Sequence, residues 1–271
     1  MRTLALTVAY DGTEWAGLQW QPAAPSIQQA LETALGEVLR HPVRIAAAGR
    51  TDTGVHALGQ VISLRTPNPL PVERLPRAVN LWLPHDIRVR RAVEKPTGFH
   101  ARFSASYRRY WYLLQVTRHA EPLRGRFCWQ VDGPLELAVM QAALDPLVGR
   151  HDFAAFCHGD APKGTLRTLH HARVFTRGSC IVVDVQADAF VRRMVRLLVG
   201  NLVLVGAGKR PVSWLDELLR GRRRGPAGKG APPHGLILMR IGYPPVEQPS
   251  RMREEGGERN DEMLSGESAG S

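Results

Sequence analysis

The sequence contains little cysteine and no long apolar run. Its three cysteines, Cys128, Cys157 and Cys180, are far apart in the 271-residue chain, so neither a disulfide framework nor a zinc site built on thiolate pairs is indicated. No stretch approaches the ~18 apolar residues that span a membrane, and the N-terminus has no signal-peptide core. We therefore expect a cytoplasmic protein that does not enter a membrane.

Common cofactor and catalytic motifs are also missing. The sequence has no Walker-type glycine loop, no GxGxxG after an expected strand, no HExxH and no GxSxG. These patterns mark nucleotide, dinucleotide, zinc-protease and hydrolase sites. The ten histidines, His170 and His171 among them, have no metal-like spacing. We expect an activity without metal or cofactor.

Lysine is scarce, because only four of the 36 basic residues are lysines. The 36 basic residues against 25 acidic ones give a net charge of +11, which indicates a polyanionic partner. Arginine forks onto phosphates and stacks on bases. A GC-rich genome would also enrich arginine, and composition alone leaves both explanations open.

Apolar periodicity predicts one order of elements, βαββαβ, twice in succession. The first pass has strands near 4–10, 43–48, 60–64 and 87–93 and helices near 27–39 and 72–81. The second pass has strands near 108–116, 169–176, 180–185 and 236–241 and helices near 135–148, 190–205 and 214–219. Ser26 and Gln29 form a capping-box pattern at the start of the first helix.

This repeated order indicates an α+β fold of two ferredoxin-like (split βαβ) domains with their sheets side by side. We expect an N-terminal domain at residues 1–100 and a C-terminal domain at 101–246. Residues 247–271 contain seven acidic and three basic residues and no aromatic residue. This composition is typical of a disordered acidic tail.

The most unusual segment is Ala48–Ala57, where Gly49 and Gly54 flank Arg50, Thr51 and Asp52 between two short strands. Glycine permits a tight backbone there. A neighbouring arginine favours the ionised form of an aspartate, which suits a nucleophile or a base. An aspartate that merely bonds its own turn would show the same local pattern.

Two further segments interleave arginine with apolar or aromatic residues. Strand alternation in 106–112 puts Tyr107, Arg109 and Trp111 on one face and Arg108, Tyr110 and Tyr112 on the other. Either face could stack a base, and a packed aromatic core explains most of the rings as well. In the long helix expected from Phe190, Arg192 and Arg196 share a face at i and i+4. The basic run 220–229 would contact phosphates without sequence preference.

Taken in order along the chain, these residues resemble the tRNA pseudouridine synthase A family over about residues 3–243. The matching motifs are Tyr10-Asp11-Gly12-Thr13 with Gly17 and Gln19, Gly49–His56, Phe99–Arg102, Arg109–Tyr112, Phe190 through Arg196, and Gly235-Leu236. The motif around Asp52 is highly specific, and the others gain weight from their shared order.

The resemblance implies an isomerase that converts uridine to pseudouridine at positions 38–40, on the 3′ side of the tRNA anticodon stem-loop. It implies that Asp52 is the nucleophile, that Arg50 organises the loop and holds the flipped nucleotide, that Tyr110 contacts the target uracil and that Arg196 pairs with Asp52. The implied partners are tRNA and a second subunit in a homodimer, and no cofactor is needed.

The sequence leaves the chemistry of the first step open. A carboxylate could attack the anomeric carbon, add to uracil carbon 6 or abstract the 2′ proton to give a glycal. Two other classes of function also remain as alternatives, a noncatalytic RNA-binding protein and a hydrolytic nucleosidase that uses Asp52.

Overall fold

A computed structural model describes residues 1–159, 163–221 and 230–244. Within these ranges the strands form one ten-stranded sheet. The strands are β1 Arg2–Tyr10, β2 Ala46–Ala47, β3 His56–Thr66, β4 Ile87–Lys95, β5 Tyr107–Val116, β6 Trp129–Val131, β7 Gly149–Asp152, β8 Leu166–Arg177, β9 Cys180–Ala187 and β10 Leu236–Gly242. The helices are α1 Ile27–Leu39, α2 Leu75–Asn80, α3 Pro122–Gly125, α4 Leu137–Leu144, α5 Met194–Gly206 and α6 Trp214–Gly221.

The sheet consists of two units with the same internal order. Its main path is β4-β1-β3-β10-β5-β9-β8-β7, while β2 pairs with β3 and β6 with β5. The first unit therefore runs β4-β1-β3-β2 and the second β10-β5-β9-β8. In each unit this is the fourth, first, third and second strand of a βαββαβ sequence, as in a ferredoxin-like fold. The predicted fold class is confirmed.

Strand β10 joins the two units into one sheet. It pairs in parallel with β3, where Ile237 and Leu238 lie opposite His56 and Ala57, and antiparallel with β5 on its other edge. Strand β10 thus lies between β3, which follows the loop at 48–55, and the aromatic strand β5. Two predicted site segments become neighbours through this pairing. The domain boundary near residue 100 stays a prediction.

Helix α1 forms as its pattern predicts. The Ser26 hydroxyl accepts a hydrogen bond from the backbone N–H of Gln29 at 3.3 Å, which satisfies one of the free N–H groups at a helix start. The helix ends at Arg40, whose φ of 59° is left-handed. One face is buried against the sheet by Ile27, Leu31, Ala34, Leu35 and Leu39.

Helix α5 begins later than predicted, and this changes the position of an arginine. Arg193 has a φ of 60° and precedes the first helical residue, Met194. A left-handed residue cannot continue a right-handed helix, so Phe190 and Arg192 lie before α5. The expectation that Arg192 and Arg196 share a helix face is therefore wrong. Arg192 is exposed in the turn that leads into the helix.

Some of the other differences from the predicted elements are ones of length. The helix expected over 135–148 spans Leu137–Leu144 and passes into a 3₁₀ turn, Asp145–Leu147, because Pro146 has no N–H to continue an α-helix. The strand expected over 43–48 shrinks to Ala46–Ala47. The short elements α3, β6 and β7 were not predicted. Most of the basic run 220–229 and the whole tail 247–271 lie outside the described residues. No helix in the described ranges is long and apolar enough to cross a membrane.

Candidate active site

Asp52 lies on the loop between β2 and β3, which packs closely against the turn that follows β1. A Cβ atom at Gly12 would collide with the backbone carbonyl of Val55. A Cβ atom at Gly17 would lie 2.8 Å from the carbonyl oxygen of Thr51, and Gly17 also has a φ of +99°. Only glycine allows this approach and this backbone conformation.

Backbone hydrogen bonds hold the loop in place. The N–H of Leu18 donates to the carbonyl of Thr51 at 3.1 Å, and the N–H of Val55 donates to the carbonyl of Asp52 at 3.1 Å. The turn is thus closed by the Asp52 main chain. The Asp52 carboxylate faces another element, contrary to the simple turn-aspartate reading of the sequence.

Buried polar side chains support the loop from below. The hydroxyls of Tyr10 and Thr51 lie 2.8 Å apart, and the Gln60 amide donates to the carbonyl of Gly49 at 2.8 Å. Burial raises the pKa of Tyr10 to about 12, although hydrogen bonds with Thr51 and Gln60 act in the opposite direction. Tyr10 is therefore neutral and serves as a structural support.

His56 connects the loop to both flanking segments. Its Nδ1 accepts the N–H of Gly12 at 3.0 Å, and its Nε2 lies 3.1 Å from the carbonyl oxygen of His234. Nε2 must carry the proton to donate to a carbonyl, and Nδ1 also lies 3.1 Å from Asp11 Oδ1. Burial lowers the pKa of His56, whereas the nearby charge of Asp11 raises it.

The Asp52 carboxylate faces Arg196, in the first turn of α5. Asp52 Oδ2 and Arg196 Nη1 are 3.5 Å apart, with side chains 39% and 15% exposed. Arg196 Nε donates to the Ala231 carbonyl at 2.7 Å, and the Ala231 N–H donates to the Arg196 carbonyl at 2.9 Å. Burial lowers the pKa of Arg196 while Asp52 raises it, and a guanidinium stays charged in proteins. A fixed cation thus lies beside an accessible carboxylate.

Tyr110 forms a buried wall of the same site. It is 8% exposed, and its ring meets that of Phe190 edge to face, with centroids 5.2 Å apart and planes at 89°. Its hydroxyl lies 3.9 Å from the position of a Cβ atom at Gly49, so the ring extends under the Asp52 loop. Burial raises the pKa of Tyr110, and Tyr10 and Asp52 raise it further.

Arg50 lies on the Asp52 loop with an exposed side chain. Arg108 connects the start of this loop to other segments. Its Nη2 donates to the carbonyl of Ala48 at 3.0 Å and to that of Arg102 at 2.8 Å, and its Nη1 donates to the carbonyl of Asp188 at 2.7 Å. The sequence placed Arg108 on the strand face of Tyr110, as part of a surface that could stack a base, and did not indicate its contacts to this loop.

The structure therefore brings together Asp52, Arg196 and Tyr110 from three separate regions of the chain. An accessible carboxylate paired with a buried guanidinium, next to an aromatic wall, can act as a nucleophile or a general base on a ring-shaped substrate. In the part of the chain that the structure describes, no group of three or more His, Cys, Asp or Glu residues could hold a metal ion. Gly12, Gly17, Thr51 and His56 position the loop, a role that the sequence did not reveal.

Known proteins resemble this chain over nearly its whole length. A family model described as tRNA pseudouridine synthase matches residues 6–104 and 143–244. Proteins named tRNA pseudouridine synthase A from Halalkalibacterium halodurans and Syntrophotalea carbinolica are 40% and 42% identical, over 89% and 91% of this chain and 92% and 98% of their own. The relative of that name from Pseudoalteromonas atlantica is 41% identical over 89% of this chain and 92% of its own.

One solved structure shows a distant likeness. The archaeal box H/ACA sRNP Nop10–Cbf5 complex aligns with a TM-score of 0.35 and 11% identity, over 74% of this chain and 43% of the other. A score this low does not define the fold, which follows from the strand order above. On the sequence matches, the chain belongs to the tRNA pseudouridine synthase family.

Proposed function

We propose that this protein converts uridine to pseudouridine at positions 38–40 of the tRNA anticodon stem-loop. In this proposal Asp52 is the nucleophile, and the target uridine is flipped out of its stack to reach it. The sequence relatives are named for tRNA, and the stem-loop positions come from the family resemblance. A homodimer and a cytoplasmic location complete the proposal.

The pair of Asp52 and Arg196 is the observation that carries the proposal. The carboxylate is open to solvent, whereas its guanidinium partner is largely buried and is held by a second hydrogen bond to Ala231. The guanidinium lies 3.5 Å from the carboxylate. It also holds the carboxylate in one direction, which orientation-dependent catalysis requires.

Tyr110 and Arg50 have different tasks in this proposal. The Tyr110 ring, held by Phe190, would form the wall against which a flipped uracil packs. Arg50 is exposed beside Asp52 and would contact the backbone of the displaced nucleotide. Flipping costs a few kcal/mol, which stacking and phosphate contacts offset.

The reaction is balanced without any co-reactant. The bond between uracil N1 and the sugar C1′ breaks, and a bond between uracil C5 and C1′ forms. The hydrogen on C5 leaves as a proton to solvent, and N1 takes up a proton. Each of the three possible first steps begins with an ionised Asp52.

Tritium release from a tRNA transcript labelled at uridine C5 tests the proposal. We expect release by the wild-type protein and a loss of at least about a thousandfold in Asp52→Asn, because removal of a catalytic nucleophile has effects of this order. Asp132→Asn makes the same chemical change at an exposed position and should match wild type. Transcripts with cytidine at 38, 39 or 40 identify the modified sites.

Binding of the transcript is measured for each protein in parallel. Tight binding by wild type without tritium release would favour the noncatalytic RNA-binding alternative. Free uracil among the products would favour a nucleosidase. Undiminished release by Asp52→Asn would exclude Asp52 as the nucleophile.

A further inference from the structure

A second aromatic site lies beside the Asp52 loop and has no part in the chemistry described above. It is an open cleft of about 470 Å³ lined by Phe99, Phe103, Tyr243 and Lys95, among others. Phe99 and Tyr243 pack with ring centroids 5.0 Å apart. Of the described residues that line the cleft, Lys95 is the only charged one.

Phe103 is unusual because it is exposed and yet held in place. It is 69% exposed, but its backbone belongs to a hydrogen-bonded turn. His100 Nδ1 faces the N–H groups of Arg102 and Phe103, at 3.1 and 3.4 Å, and the Ser104 N–H donates to the His100 carbonyl at 2.9 Å. The His100 ring also lies 4.4 Å from that of Phe103, with 32° between the planes. One side of Phe103 is thus supported while much of the ring stays open.

Cations surround these rings. Lys163 Nζ lies 5.6 Å and the Arg102 guanidinium 5.7 Å from the centre of the Phe103 ring, and Lys95 Nζ lies 5.4 Å from that of Phe99. Exposed aromatic rings among positive charges are the usual means of binding single-stranded nucleic acid, since bases stack on the rings while phosphates meet the charges.

The cleft is connected to the start of the Asp52 loop through Arg108. Arg108 Nη2 donates both to the carbonyl of Arg102, next to Phe103, and to that of Ala48. Ala48 precedes Asp52 by four residues, a distance of at most about 14 Å along an extended chain. A strand of RNA whose target base lies at Asp52 would reach the cleft within a few nucleotides.

We propose that this cleft binds an unpaired nucleobase of the RNA substrate, other than the target uridine, by stacking on Phe103. Lys95, Arg102 and Lys163 contact the adjoining phosphates. The inference rests on the proposed function for its RNA substrate, and it adds a second base contact that determines which uridines reach Asp52.

Equilibrium binding of an unmodified tRNA transcript to Phe103 variants tests this site. Phe103→Ala should weaken binding on the order of tenfold, as expected for the loss of one base–aromatic contact. Phe103→Trp should bind like wild type because it keeps a stacking face, whereas Phe103→Leu, apolar but not aromatic, should behave like Phe103→Ala. The control is Leu81→Ala, which truncates another exposed apolar residue and should bind like wild type.

Salt dependence separates stacking from charge. Phe103→Ala should leave the slope of log K against log salt unchanged, whereas Lys163→Gln should reduce it by about one. Transcripts with single abasic nucleotides near the target then locate the stacked base. The effect of Phe103→Ala should vanish in the transcript that lacks that base, because the variant has no contact left to lose.

Three results would overturn the inference. The first is that Phe103→Ala binds tRNA as tightly as wild type, and the second is that Phe103→Leu does so. The third is that Phe103→Ala elutes as a smaller species than wild type in size-exclusion chromatography, which would make Phe103 a contact between copies of the chain. Tritium release by wild type reports separately on the proposed function. If Phe103→Ala binds tRNA like wild type and the wild type releases tritium, only the proposed base contact in the cleft is refuted. If Phe103→Ala binds tRNA more weakly and the wild type releases no tritium, only the proposed isomerase activity is refuted.

Discussion

The two βαββαβ units have the same strand order but different connections at equivalent places. In the first unit, β2 and β3 are joined by the loop that carries Asp52. In the second unit, β8 and β9 are joined by a two-residue hairpin at Gly178 and Ser179. The second helix of the first unit has six residues, and that of the second unit has thirteen.

Because of this difference, the two units contribute different residues to the candidate active site. The first unit supplies the carboxylate from its long connection, and the second supplies Arg196 from the first turn of its long helix. Neither unit holds the pair alone. The same strand order therefore serves two tasks, because residues in the connections can change without disturbing the sheet.

Arg196→Gln would remove the contact between the units and should have the largest effect of the variants that keep Asp52. We expect kcat for tritium release to fall by about 10²-fold, the size seen when one preorganised charge contact is removed. The kcat of Arg196→Lys should lie between those of wild type and Arg196→Gln, because lysine keeps the charge but loses the Nε hydrogen bond to Ala231. Arg193→Gln, an exposed neighbour, should keep its kcat at saturating tRNA. An Arg193→Gln effect as large as that of Arg196→Gln would contradict the assigned pairing.

A pair of glycine variants compares the two connections directly. Gly17→Ala places a Cβ atom 2.8 Å from Thr51 O and should cost about 2–3 kcal/mol in urea unfolding. Its activity should fall as well, because displacement of Asp52 by ~1 Å costs about 10²-fold. A Cβ atom at Gly178 has no atom within 4 Å, and the residue has a φ of 60°. We therefore expect Gly178→Ala to lower the free energy of unfolding by about 1 kcal/mol and to keep normal activity per folded molecule. Equal losses of activity would show that the Asp52 loop is not specially constrained.

Two tyrosines on one face of β5 separate structural from functional hydroxyls. The Tyr112 hydroxyl donates to the carbonyl of Pro232 at 2.8 Å, so Tyr112→Phe should lower the free energy of unfolding by about 1 kcal/mol. The Tyr110 hydroxyl faces the Asp52 loop, and Tyr110→Phe should change the free energy of unfolding by less than about 0.5 kcal/mol. Urea unfolding and tritium release are measured on both. A larger loss of stability in Tyr110→Phe would reassign that hydroxyl to the framework.

His56 should give the junction a small pH dependence. Burial lowers its pKa in the folded protein, so the unfolded chain takes up the proton first as the pH falls. The contribution of His56 to the free energy of unfolding is therefore fully present above about pH 6.5 and decreases as the pH drops below that value. His56→Gln should show a smaller decrease between pH 7.5 and 5.5 in urea unfolding. Part of the decrease should remain in the variant, since burial also lowers the pKa of His234. An identical slope in both proteins would exclude His56 as a source.

Much of the fold could be predicted because its elements are encoded locally. Alternating residues predicted β1, aromatic and apolar runs predicted β5 and β9, and Ser26 followed by a 3.6-residue apolar pattern predicted α1 at its observed start. The start of α5 was predicted wrongly. The apolar period continues through Phe190, but Arg193 takes a left-handed conformation that no periodicity reveals.

The site was predictable only in part. Asp52, Arg50, Tyr110 and Arg196 were named from motifs, and their roles are proposals that rest on that resemblance. The structure places Arg196 against Asp52 and Tyr110 under the loop, while Arg50 is exposed. His56 received no role, Arg108 was considered only as part of a strand face that could stack a base, and the cleft was not predicted, since each depends on contacts between segments far apart in the chain.

By itself the sequence determined the order of the elements, the basic character of the chain and the glycine-flanked loop, because composition, periodicity and turn residues act over a few neighbouring positions. Only the tertiary structure decided that β10 would join the two units and bring Asp52 within 3.5 Å of Arg196, 144 positions further along the chain. Strand pairing and close packing join distant segments through hydrogen bonds and excluded volume. Those forces depend on which surfaces meet, and a linear pattern does not contain that information.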